Sequence, residues 1–193
     1  MLSKKDKGEY GYLRYKKTIM ILLLIGIIML SFGIFVLGLL LNKMESRNIF
    51  TVVSILGVLP AAKMITLLVV VLPNREIDRE ERNFIDTLMK RDDIVLYDVV
   101  FTSSERPMHL DAVVLTGHQL IGLSTQKRDK LDKTEEYFKH EFEIRKLDYV
   151  CFLTDSKDTF KNRFKLRSDA EELTEAQAAT RNNVLEFFRA AIV

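Results

Sequence analysis

The sequence predicts a two-helix transmembrane hairpin followed by a small α/β cytoplasmic domain, with the order α-β-β-β-α-β, then an edge strand and a C-terminal helix. Three observations predict it. Thr18–Leu41 and Ile49–Leu72 are two apolar runs of 24 residues each near the N-terminus. Charge becomes dense immediately after Leu72. From Glu76 onward, short Val/Ile/Leu-rich runs alternate with stretches of helical periodicity. The predicted organisation is a basic N-terminal tail (1–17), the hairpin (18–72, spans 18–41 and 49–72) and the α/β domain (75–193).

The first run holds no charged residue and exceeds the roughly 20 apolar residues a helix needs to cross a bilayer core. It is too long for the apolar part of a signal peptide and lacks a small-residue cleavage site, so it reads as an uncleaved anchor. The second run is broken only by Pro60 and Lys63. Lys63 is an intramembrane polar candidate, facing Ser31 or a partner subunit, or snorkelling to an interface. Lys4, Lys5, Lys7, Arg14, Lys16 and Lys17 precede the first run, and Arg75, Arg79, Arg82, Lys90 and Arg91 follow the second. The connecting loop carries only Lys43 and Arg47. This bias predicts a multi-pass protein of the cell membrane with both termini cytoplasmic.

Pro73 ends the second span. Glu76–Lys90 is amphipathic, with Phe84, Ile85 and Leu88 at helical spacing. Strands are predicted over Ile94–Phe101, His109–Thr116, Gln119–Ser124 and Tyr149–Thr154, the second and third joined as a hairpin at Gly117-His118. A helix is predicted over Asp132–Arg145 after a charged loop. Thr159–Arg167 alternates basic and other residues with a period of two, which predicts an edge strand. Ser168-Asp169 is the expected cap of a last helix running to Ala191.

The net charge of +2 divides unevenly along the chain. Residues 1–17 carry six Lys/Arg against two Asp/Glu, whereas residues 74–193 carry 20 against 24. An α/β domain of net −4 is a poor polyanion binder, which disfavours nucleic acid as a partner. The lone Cys151 lies in an apolar run, excludes an intramolecular disulfide and reads as a packed strand residue. No phosphate-binding glycine loop, G-x-S-x-G or H-E-x-x-H motif occurs. The basic stripe Lys161, Arg163, Lys165 and Arg167, with Lys157 before it, would line one face of the edge strand as a solvated edge or a lipid or partner contact. His109 and Asp111 would share a strand face, with Asp98 on the preceding strand, as candidate ligands for a divalent metal.

The run from His109 and Asp111 through Gly117 to Gly122 and Ser124, within the α-β-β-β-α-β order, resembles the PD-(D/E)XK nuclease-like superfamily, of the nuclease-related domain type. The resemblance implies two acids holding a divalent metal that activates water for phosphodiester cleavage, with a lysine stabilising charge. Asp111 matches the first acid. Gly122 and Ser124 stand where the acid and lysine of the third strand are expected. The resemblance therefore implies a non-cleaving relative. Together with the apolar hairpin, the expected function is a membrane-anchored binding or scaffolding module, without a cofactor, at the cytoplasmic face of a bacterial-type membrane, meeting the lipid surface, a protein partner or a second copy. The alternatives are a metal-dependent nuclease with a displaced site, in which Asp98 or Glu105 supplies the second acid, or an accessory subunit of a membrane complex.

Overall fold

The computed structural model describes residues 5–45, 47–102, 107–124, 128–165 and 173–192. The described elements are α1 (Tyr12–Leu41), α2 (Ile49–Val71), α3 (Arg79–Leu88), β1 (Ile94–Thr102), β2 (Pro107–Leu115), β3 (Gln119–Leu123), α4 (Arg128–Ile144), β4 (Val150–Thr154), α5 (Lys157–Lys165) and α6 (Glu175–Ala191). They form two compact units, one of residues 14–74 and one that joins the N-terminal residues up to Leu13 to residues 75–192.

In the first unit, α1 and α2 are long and apolar enough to cross a membrane. Asn48 caps α2, its side chain accepting from the Thr51 amide at 3.0 Å. Pro60 lies inside α2 without ending it. The less exposed positions of α2 include Phe50, Ser54, Gly57, Ala61, Met64, Leu68 and Val71, a three-four repeat that marks one helix face. A side chain at Gly57 would meet Ser31 Oγ at 2.4 Å, and one at Gly38 would meet Phe50 Cβ at 2.5 Å, so these glycines set the close approach of the two helices. The remaining faces are apolar and open: Met29 is 69% exposed, Leu40 68% and Leu59 67%.

The second unit is a four-stranded mixed sheet in the order β1-β2-β3-β4. β1, β2 and β3 form an antiparallel meander, and β4 runs parallel to β3. Parallel neighbours need a crossover, which α4 supplies. Ile77, Ile85, Tyr97, Ala112, Val114, Ile121, Leu123, Phe160 and Phe164 form one apolar core cluster, drawing on α3 and α5. A second cluster is aromatic, with Phe101 packed edge-on against Phe138 of α4 and Phe188 of α6 at 5.3 and 5.0 Å between ring centroids. The N-terminal residues cover the outer edge of β1. Gly8, at φ 86°, accepts from the Tyr97 amide at 2.8 Å. Lys7 Nζ donates to Ile192 O at 2.6 Å and Arg189 O at 3.1 Å, while Ile192 bridges Phe101.

Two sequence expectations are corrected. The predicted edge strand over Thr159–Arg167 is helix α5 as far as Lys165, with Arg167 outside the described residues. Phe160 and Phe164, one helical turn apart, both enter the core, and Ser156 accepts from the amides of Phe160 and Thr159 at the helix start. The cap of α6 is Thr174, which closes a capping box with Gln177, rather than Ser168-Asp169, which lie outside the described residues.

Candidate functional site

A row of buried polar residues crosses the sheet between its two core clusters. Tyr97 pairs with Ala112 and Val99 with Leu110, which sets Asp98 opposite Asp111. Ala112 pairs with Leu123, which sets Ser124 on the other side of Asp111. Asp98, Asp111, His109 and Ser124 are all buried.

Asp98 has φ 50°, in the left-handed region that Asp tolerates better than most side chains. The consequence is visible in the packing. Tyr97 belongs to the α3/α5 cluster, whereas Phe101 lies among the rings of α4 and α6. Residues four apart on an uninterrupted strand share a face, so β1 rolls over between them. β2 rolls with it. Ala112 joins the α3/α5 cluster, while Leu110 lies 3.7 Å from where a side chain at Gly122 would begin. Gly122 sits between Ile121 and Leu123, which face the first cluster, and so it faces the opposite way.

At this crossing Asp98 Oδ1 accepts from the Ile77 amide at 2.7 Å, tying the segment before α3 to the sheet. His109 Nδ1 lies 3.7 Å from Asp111 Oδ1. Ser124 Oγ donates to the His109 carbonyl at 3.0 Å. The structure thus brings His109 and Asp111 together, as their spacing predicts, and gives Asp98 a backbone partner. Among the described residues, no three His, Cys, Asp or Glu side chains are grouped so as to hold a metal ion. His118 contributes its carbonyl to the Val150 amide, and Glu105 lies outside the described residues.

The helical conformation of α5 separates Lys161 from Arg163, because residues two apart point to nearly opposite sides of a helix. The Arg163 guanidinium lies over the Phe152 ring at 5.1 Å and reaches Gln119 Oε1 at 3.4 Å. Lys161 Nζ lies over Phe84 at 5.8 Å. Lys161 also lines a cleft of about 360 Å³ between α3 and α5, with Asp78, Glu80, Glu81, Phe84, Lys157 and Asp158. Lys157 forms an ion pair with Glu81, whose hydrogen bond raises the lysine pKa above its ordinary value. Sequence reasoning missed this cleft because the strand assignment placed Phe160 and Lys161 on a sheet edge. The Ser156 cap and Asp158 in the first turn were the available signal.

Cys151 is buried on β4, and its thiol is pushed well above the ordinary range by burial and then by Glu135, with Lys139 opposing. A thiol so held is no nucleophile at neutral pH. Lys63 is exposed on α2, two residues from the buried Ala61 and hence on the far side from the face that meets α1. Comparison of the chain with protein-family models, curated proteins and solved structures finds no match.

Proposed function

We propose that the chain is a membrane-anchored binding or scaffolding protein, in which α1 and α2 cross the bilayer and hold a non-catalytic α/β unit at the cytoplasmic face. The observation that carries this reading is the pair of long helices, each with an apolar stretch long enough to cross a bilayer and with many of its large hydrophobic side chains exposed. A monomer in water rarely exposes a contiguous apolar surface of that extent, whereas a bilayer covers it. Lys and Arg crowd the flanks of the pair and are sparse in the connecting loop, which supports cytoplasmic termini. The test is alkaline extraction of membranes, followed by labelling with an impermeant maleimide in intact cells. The chain should stay in the pellet. In a Cys151→Ser background, Glu45→Cys should label from outside and Arg91→Cys should not. Release into the supernatant, or the reverse labelling, would overturn the reading.

We further propose that the α/β unit is a non-cleaving relative of the PD-(D/E)XK nuclease-like fold. The order α3-β1-β2-β3-α4-β4 supports this, as does Ser124, which stands beside Asp111 in register where that family carries a lysine. The experiment is calorimetric titration of Mg²⁺ and Mn²⁺ into the detergent-solubilised chain and its Asp111→Ala variant. Indistinguishable traces are expected. Saturable binding lost in the variant would favour the metal-dependent nuclease instead, with His109 and Asp111 as its nucleus.

A further inference from the structure

We infer that Lys63 marks the docking face for a transmembrane helix of a different protein, one that carries an Asp or Glu within the bilayer. The inference rests on the membrane reading of α1 and α2.

The face of α2 that meets α1 is occupied: Gly57 approaches Ser31, and Ala61 is 4% exposed. Lys63 lies on the opposite side and is exposed, with no hydrogen bond or ion pair to any described residue. Eight residues separate it from the C-terminal residue Val71 and fourteen from the N-terminal residue Ile49. At about 1.5 Å per residue, the amine's backbone position is roughly 12 Å from the nearer end and 21 Å from the farther. Helical side chains lean toward the N-terminus of their own helix. The lysine stem therefore leans toward the farther end, against the direction in which snorkelling would be short.

A charge at such depth is found paired. The described residues of the two long helices do not supply the partner group. Neither α1 nor α2 contains an Asp or Glu. A second copy would bring another Lys63 to a symmetric contact, which repels. The complementary group is a carboxylate on another transmembrane segment at matching depth. Thr66 is exposed nearly one turn further along, and its hydroxyl is turned back onto Ala62 O at 3.1 Å, so Lys63 is the one charged group on this face.

The test reconstitutes the full chain, with a photo-crosslinking residue at Thr66, in phosphatidylcholine vesicles containing a labelled poly-leucine transmembrane peptide. One peptide carries a single Asp eight residues from its end, and its control has Leu there. Crosslinking to the Asp peptide should exceed the control at least tenfold, remain in Lys63→Arg and fall to the control level in Lys63→Leu. The Leu substitution makes α2 more apolar, so loss of insertion cannot explain that fall. Equal yields for the two peptides, in a chain that resists alkaline washing, would overturn the inference and leave the membrane reading standing. A chain washed off the vesicles would overturn both.

Discussion

Asp98 offers the sharpest test of how the α/β unit is held together. Three substitutions separate its two contributions. The carboxylate accepts from a buried amide, and a hydrogen bond to a charged group contributes about 1.5–3 kcal/mol. The backbone conformation at φ 50° costs a non-glycine residue about 1–2 kcal/mol, least for Asp and Asn. Asp98→Asn keeps an acceptor and tolerates the backbone, so it should destabilise by about 1 kcal/mol. Asp98→Gly relieves the backbone but strands the Ile77 amide, which is 3% exposed in its residue, for a net loss of about 1–2 kcal/mol. Asp98→Val loses the acceptor and forces a β-branched residue into the left-handed region, for about 3–5 kcal/mol. Urea unfolding of the detergent-solubilised chain, followed by far-ultraviolet circular dichroism, gives the ranking. Hydrogen exchange over residues 75–89 shows whether the Ile77 amide opens. An Asp98→Gly variant as stable as the wild type, with unaltered exchange, would refute the argument.

The Cys151 thiol and the Tyr97 phenol are both held above their ordinary values by burial, Tyr97 further by its hydrogen bond to Asp86. The unfolded chain releases these protons first, so stability should be full below about pH 8, fall as pH rises past about 8.5 and fall again past about 10; a urea midpoint that stays level from pH 7 to 10.5 would contradict this. Thr174→Ala opens the capping box of α6 and should cost about 1 kcal/mol in the same unfolding assay, with Thr174→Ser retaining most of it. Gly122→Glu should destabilise far more than Gly122→Ala and should create no Mn²⁺ binding in calorimetry, because its Cβ would lie 2.4 Å from Leu153 Cδ2 and within 4 Å of Leu110 and Leu120.

Much of the fold was legible because it is written in periodicity. The two long helices, the four strands and the helices α3, α4 and α6 follow from apolar runs and spacing, and their ends shift by only a few residues except at the starts of α1 and α6. The failure at α5 has a physical cause. Phe160 and Phe164 are four apart, which satisfies a period of two as well as a helical turn, and the alternating Lys161, Arg163 and Lys165 favoured the strand. Lys, Asp and Asn are poor strand formers, and that preference was the overlooked discriminator. The N-terminal residues carried a second message. Their lysines read as an orientation signal, yet Lys7 also fastens the end of α6, and Gly8 and Gly11 both occupy positive φ to turn the segment along β1. The left-handed Asp98 left no mark in sequence, since a strand interrupted at one residue keeps its Val- and Tyr-rich composition.

That interruption bears on what a matched motif means here. Placing Asp111 and Gly122 in a nuclease-like pattern assumes that both strands present them to one side of the sheet, since two carboxylates bind one metal only from a common face. In this chain β1 and β2 roll over at Asp98 and Asp111. Asp111 keeps company with His109, while a side chain at Gly122 would enter a pocket of Leu110, Leu120 and Leu153. A carboxylate there would be desolvated among leucines. The glycine is therefore matched to its own surroundings: it lets Leu153 of the parallel neighbour β4 pack against the sheet beside Leu120 and Leu110. A metal held jointly from positions 111 and 122 would require the roll at Asp98 to be undone first. In this arrangement the polar row supports the sheet and ties it to the segment before α3.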